Sequence, residues 1–415
     1  ALPVIRETLR AEEERFQRTL GRGLALLEDA VEGLAPGADL PGETAFKLYD
    51  TYGFPLDLTQ DALRAKGYGV DAAGFDTAMA RQKAEARASW SGSGEAAPDA
   101  VWFKVRDAAK PTEFLGYDRT EADGELKAII AGGEPRERLS EGESGELVFD
   151  RTPFYAESGG QIGDAGVIEF EDGARFIVDD VKKRAGDVWS HIGRMDAGAA
   201  EPGAKAHMGV DAERRARTMA NHSATHLLHA ALRDVLGPHV TQKGSYVGPD
   251  RLRFDFSHAK ALTREEARRI EAQVNAVIRQ NAPAETAEMS PDDAIEAGAL
   301  ALFGEKYGDT VRVLTLGRAA GADAAAYSVE LCGGTHVERT GDIALFKIVG
   351  ESAVSAGVRR VEALTGEAAR RWLETEADRA REAADTLKTP TEELPARVVS
   401  LLEERKSLER QLAEA

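Results

Sequence analysis

The sequence predicts an α+β multidomain protein. Its expected parts are a helical N-terminal region (1–88), a small β-barrel (89–205), a mixed α/β core (206–365) and a C-terminal helical linker (366–415). Three observations carry this expectation. Apolar residues recur at three and four near both ends of the chain. Short strand-like runs separated by glycine turns fill the stretch out to about residue 193. From about residue 206 helical and strand periods are mixed.

Each element has its own justification. Ile5, Leu9, Phe16, Leu20, Leu24 and Leu27 follow helical spacing from the first residues, and Ala1 is not an initiator Met, so a piece of a longer protein is expected. LYDTYGFPLDLTQDALRAKG (48–67) holds a Gly53-Phe54-Pro55 turn and then a short helix stopped near Gly67. WSGSGEAAPD (90–99) reads as a linker. LKAII, ELVFD, GVIEF, ARFIVDDV and DVWSHIG are strand-like runs that fit a small barrel or a sandwich, and the barrel is the expectation. A helix over 212–235 and the alternating strand RLRFDF (251–256) follow. Thr263 and Glu266 form a capping box that opens the amphipathic helix of 263–281. VRVLTL, YSVEL, ALFKIV and VRRVEAL supply further strands. A helix runs from 366 to 386, and Pro390 and Pro395 interrupt the way to a coiled-coil-like helix carrying Leu394, Val398, Leu401, Arg405, Leu408 and Leu412.

Composition narrows the function classes. The chain has 415 residues, 42% hydrophobic and 30% charged, which is globular. Its net charge of −19 excludes broad electrostatic adhesion to nucleic acid but not a local basic surface. No run of about 18 apolar residues exists, so no membrane partner is expected. No signal peptide opens the sequence, and a cytoplasmic location is the expectation. One cysteine, Cys332, precludes an internal disulfide.

The chemistry concentrates in NHSATHLLHAAL (221–232). His222, His226 and His229 share one helix face, with Ala224, Leu227, Leu228, Ala231 and Val235 on the other. Two histidines four apart on a helix can reach one ion, and zinc takes about four such ligands. Cys332 and His336, with two glycines between them, supply a second pair. A lone buried histidine is usually satisfied by a hydrogen bond and a lone cysteine is usually a small core residue. The two pairs together point to a shared metal, with His229 outside the ligand set. Ser223 stands where the H-E-x-x-H metalloproteases carry their glutamate, so that class is excluded.

NHSATHLLHAAL and LCGGTHVERTG (331–341) resemble the zinc-binding editing core of the alanyl-tRNA synthetase family; similar pairs occur in freestanding editing proteins and threonyl-tRNA synthetase. LYDTYGFPLDLT (48–59) and FYAESGGQIGD (154–164) narrow the resemblance to the bacterial alanyl enzymes, over nearly the whole chain. It implies a tRNA-recognition region, an editing domain made of the barrel and a zinc core, and the start of a coiled-coil linker. It implies Zn2+ held by His222, His226, Cys332 and His336, a substrate-discriminating hydroxyl on Thr225 and a pocket glutamine at Gln242. Gly159, Gly160, Gln161, Gly163 and Asp164 fall on a substrate-binding glycine-rich loop, and Asp50 on the aspartate that reads the acceptor stem of tRNA(Ala). From spacing alone, a tight barrel turn is as good a reading of that loop.

The activity implied for the parent protein is ATP-dependent attachment of alanine to tRNA(Ala), with ATP and alanine bound by an N-terminal core expected upstream of Ala1. This segment would hydrolyse Ser-tRNA(Ala) and Gly-tRNA(Ala). A site built for alanine rejects serine by only about 10²-fold, so a second, correcting site is needed. For tRNA contact, Lys182, Lys183 and Arg184 and, with preference, Arg214, Arg215 and Arg217 are the local basic groups. The competing expectations are a freestanding deacylase and a structural zinc module that binds RNA without catalysis.

Overall fold

The structure is a computed structural model that describes residues 2–35, 37–89, 99–300, 309–319 and 325–414. The chain divides into two compact units, 1–97 and 98–415.

The first unit is helical: α1 (Leu2–Val31), α2 (Gly42–Tyr52), α3 (Leu56–Arg64) and α4 (Ala72–Ser89). Its core gathers Leu27, Leu40, Leu48, Phe54, Leu63 and Phe75. The turn after α2 is set by Gly53 at φ +65°, a left-handed conformation that costs glycine little. The Gly53 N–H returns to Tyr49 O and the Phe54 N–H to Leu48 O, which closes the helix and drives Phe54 into the core. Gly23 of α1 leaves the slot for that ring, since a Cβ there would lie 2.1 Å from it. The apolar spacing of α1 is only partly used. Leu20 and Leu27 pack, whereas Leu9, Phe16 and Leu24 are exposed. The side chain of Ile5 and most of the expected linker, 90–98, lie outside the described residues.

The second unit opens with α5 (Asp99–Ala109), which the linker reading of 90–99 passed over. Trp102, Val105 and Ala109 lie on one side of it and pack on Ile130, Val148 and Val188. The barrel follows: β1 (Glu121–Ala131), the short β2 (Glu134–Arg136), β3 (Ser144–Phe149), β4 (Gly166–Phe170), β5 (Arg175–Arg184), β6 (Val188–Ala197) and β7 (Lys205–Val210). The antiparallel order β7-β4-β5-β6-β3-β1 closes by the pairing of β7 with β1, giving six strands and removing the edges. The closing strand crosses the expected boundary at 205; Ala206, Met208 and Val210 alternate inward on it.

Val210 leads directly into α6 (Ala212–Leu236), capped by the Asp211 carboxylate on the Arg214 N–H. Next come β8 (Gln242–Val247), β9 (Leu252–Ser257), α7 (Arg264–Ile278), β10 (Ala284–Met289), α8 (Pro291–Glu296), β11 (Val311–Arg318), β12 (Ala326–Leu331), β13 (Phe346–Ser355) and β14 (Val358–Thr365). Thr263 and Glu266 form the expected capping box. One antiparallel sheet runs β8-β9-β14-β13 and a second runs β10-β11-β12. They enclose α6 with α7, so Ala224, Leu227, Leu228 and Ala231 and the opposite histidine face are all buried. The last helices are α9 (Gly366–Thr386) and α10 (Leu394–Glu414). Pro395 does not interrupt the second; it occupies the first turn of α10, where a missing N–H costs nothing. Val398, Leu408 and Leu412 of the expected coiled-coil stripe are exposed.

One barrel residue carries a pH dependence. His191 is fully buried, with Nδ1–H donating to Leu147 O at 2.9 Å and Nε2 accepting from the Thr152 hydroxyl at 2.7 Å. Burial pushes its pKa from 6.5 down to about 4, against the opposing pull of the Leu147 carbonyl. The depressed folded pKa gives stability that is full above pH 6.5 and lost as pH falls toward 4. Over that window the loss is about 3 kcal/mol. We expect His191→Gln to flatten this part of the profile, read as urea midpoints of both proteins at several pH values; parallel profiles would show that His191 does not contribute.

Candidate metal centre

The four residues expected as ligands converge. His222 and His226 come from α6, and Cys332 and His336 from the loop after β12. One ligand atom from each lies within 4.8 Å of the others. Cys332 Sγ is 3.5 Å from His222 Nε2 and 3.2 Å from His336 Nε2. Tetrahedral zinc with bonds of about 2.0–2.3 Å spaces its ligands roughly 3.3–3.7 Å apart, so the donor set fits.

The rings are aimed by their outer nitrogens. His222 Nδ1–H donates to Gln161 Oε1 at 2.7 Å, and His226 Nδ1–H to Glu330 Oε2 at 2.7 Å. His336 Nδ1 meets the Ser223 hydroxyl at 3.2 Å. Each Nε2 is thereby left for the centre. That of His226 is buried without any partner, a state that costs free energy unless a cation occupies the space it faces.

Cys332 and His336 are in protonation states that suit ligation, and His226 is held protonated. Burial raises the Cys332 thiol, but the His222 and His336 imidazoles outweigh it and hold it well below the ordinary thiol range. Burial pushes His336 down to about 3, leaving it neutral. Burial alone would lower His226, yet the Glu330 carboxylate and Cys332 hold it up at about 10. Metal at Nε2 would replace that proton.

Residues absent from the sequence reading complete the site. Glu330 faces inward from β12 with Ser328, while Tyr327, Val329 and Leu331 on the other face are only half-buried. Burial opposes its charge, but His226 and His229 bring its pKa down to about 2. His229, expected outside the ligand set, is buried and gives its Nδ1–H to the other Glu330 oxygen at 2.9 Å. Arg312 donates to Gly334 O at 2.8 Å while stacking over Tyr117, whose hydroxyl donates to Gly333 O at 2.8 Å. Polar residues flanking a C-x3-H pair were the available signal.

The glycine-rich loop divides in two. Gly159, at φ +59°, is exposed with open space around it. Gly160 abuts Ser245 and its carbonyl accepts from the Val247 N–H, so the loop is seated on β8. Gln161 is fully buried and also bonds Thr335 at 2.8 Å. Gly163 packs on Asp180 and Val181 of the barrel. Asp164 is buried in an ion pair with Arg215, which also donates to Gly116 O and Pro153 O. Neither Asp164 nor Arg215 is available to a ligand; the first was expected on substrate and the second on RNA, and their burial is what sequence could not give. Lys182, Lys183 and Arg184 lie on Glu157, Trp189 and Glu146 respectively. Thr225 donates its hydroxyl to Asn221 O at 2.8 Å, and Gln242 is half-buried at the start of β8. In the first unit, exposed Asp50 accepts from Gln82 at 2.9 Å.

Comparison with known proteins places this geometry. The family described as tRNA synthetases class II (A) matches residues 2–214. The chain belongs to that family. The threonyl and alanyl tRNA synthetase second additional domain matches residues 311–362, which hold Glu330, Cys332 and His336. An alanine–tRNA ligase of Caulobacter sp. (strain K31) is 61% identical over 99% of the chain and 46% of its own length. Those of Parvibaculum lavamentivorans and Rhizorhabdus wittichii are each 58% identical over 99–100% of the chain and 46–47% of their own. The chain therefore spans a little under half the length of these relatives. No described helix is long and apolar enough to cross a membrane.

The glycines of the Cys332–His336 loop are not equivalent. A Cβ on Gly334 would lie 2.1 Å from His222 Cε1 and 2.9 Å from Gln161 Oε1, whereas one on Gly333 would meet only the Tyr117 hydroxyl, at 3.8 Å. We expect Gly334→Ala to lose most bound zinc and Gly333→Ala to keep it, measured as metal content after purification without chelators. Equal zinc in the two variants would contradict this packing.

Proposed function

We propose that the chain is the segment of an alanyl-tRNA synthetase that carries the end of the tRNA-recognition region (1–88), the barrel (89–205) and zinc core (206–365) of the editing domain, and the start of the helical linker (366–415). The whole protein would attach alanine to tRNA(Ala) with ATP. This segment would hydrolyse Ser-tRNA(Ala) and Gly-tRNA(Ala). The observation that carries the reading is the buried His222–His226–Cys332–His336 cluster, with its outer imidazole nitrogens engaged by Gln161, Glu330 and Ser223.

When bound by these four residues, zinc would orient the aminoacyl group or, if one ligand gave way to water, lower the pKa of that water. The remaining roles belong to the chain. Thr225, beside His226, donates its O–H to Asn221 O, so towards a serine hydroxyl it offers lone pairs and accepts. Gln242 and the exposed backbone at Gly159 bound the aminoacyl and terminal-adenosine positions. Gln161 acts through His222, and Asp164 through Arg215, which fixes α6 against the barrel. Asp50 reads the acceptor stem from its exposed position on α2. A closed set of four protein ligands also suits a structural zinc, and a deacylation assay separates the two readings.

Hydrolysis of Ser-tRNA(Ala) by the purified chain, lost in Cys332→Ala, is the expected result; folded, zinc-loaded protein without activity would favour the structural reading. Thr225→Val should lower the rate on Ser-tRNA(Ala) relative to Gly-tRNA(Ala) by about a few-fold to tenfold, because one net hydrogen bond is worth about 0.5–1.5 kcal/mol. An unchanged ratio at matched zinc content would remove Thr225 from substrate discrimination.

A further inference from the structure

Three imidazoles reach one centre, but their backing differs. His222 is held by a neutral amide oxygen, Gln161 Oε1, at 2.7 Å. His336 meets a neutral hydroxyl, Ser223, at 3.2 Å, and that hydroxyl also accepts from the Val337 N–H. His226 alone is held by a carboxylate, Glu330, at 2.7 Å. The other Glu330 oxygen is taken by His229 at 2.9 Å, so both oxygens are held and the carboxylate cannot rotate freely. Glu330, His226 and His229 are 7%, 8% and 4% exposed, which strengthens these bonds relative to water.

An anionic acceptor draws the Nδ1 proton outward and makes the opposite nitrogen a better donor to a cation; a neutral acceptor does so less. We infer that Glu330, held in place by His229, is a positioning residue that makes His226 the anchor of the metal-binding set and leaves His336 the most weakly held histidine. The inference rests on the zinc reading proposed above. It assigns His229 a task that its place outside the ligand set left open: it fixes the carboxylate that fixes the ligand.

The test uses the full chain, with zinc alone as the probe and a chromophoric chelator as competitor. Glu330→Gln should weaken zinc binding about 10- to 100-fold, and Ser223→Ala by less than about threefold. Equal losses, or a larger loss in Ser223→Ala, would overturn the ranking. A second readout separates positioning from general stabilisation. In long-range 1H–15N spectra of the zinc-loaded, histidine-labelled protein, Glu330→Gln should shift the His226 Nδ1–H signal and leave that of His222 in place. Uniform shifts in all three rings would overturn the inference. If Glu330→Gln does not fold, His229→Leu keeps the carboxylate and frees one oxygen; it should weaken zinc more than about threefold, and unchanged affinity would overturn the proposal. An unaltered chain that binds no zinc would instead overturn the zinc reading, which distinguishes the two failures.

Discussion

The structure depends on one constraint: three imidazoles packed around a cysteine in a dry interior must each find a partner for Nδ1 that leaves Nε2 pointing inward. No single element can meet it. Gln161 comes from a barrel loop, Glu330 from β12 and Ser223 from α6 itself. A mixed α/β core that buries the middle of α6 is one way to bring these to one helix. Misplacing any one leaves a buried ring nitrogen unsatisfied, at about 1–3 kcal/mol.

The same requirement explains why barrel and core are joined so firmly. Gln161 serves His222 only if its loop is seated, and the seat is polar. The Val247 N–H reaches Gly160 O, the Ile162 N–H reaches Val247 O, and Asp164 grips Arg215 beneath. Removing one member of that buried pair strands a charge, a change that typically costs about 3–5 kcal/mol. The loop's glycines serve two ends: Gly160 and Gly163 allow close packing, while Gly159 stays open toward solvent. A close-packed turn and an open, exposed backbone are thus both present within five residues.

The Cys332–His336 loop shows how little freedom the centre leaves. Gly334 must lack a side chain because the His222 ring fills its space, and the carbonyls of Gly333 and Gly334 are held by Tyr117 and Arg312. The stacking of Arg312 on Tyr117 ties the approach to the barrel to β11. A loop whose glycines let it fold tightly is also held from two sides, by Tyr117 and Arg312.

Much of this was legible in the sequence, because local patterns are written in local chemistry. The capping box at Thr263, the Gly53 turn and the strand-like runs of the barrel need only neighbours in sequence. The shared face of His222 and His226 was legible too, since positions four apart on a helix share a face whatever surrounds it. Tertiary structure decided what lies opposite each face. It showed that Glu330 is buried, that His229 is locked to it, and that Asp164 and Arg215 face each other rather than a ligand. It also put α5 on the barrel and Pro395 inside a helix instead of before it. Alternation along a strand tells which residues share a side, but not which side is dry. That depends on partners about 100 residues away, as with the 104 positions between His226 and Glu330, and only the folded chain brings them together.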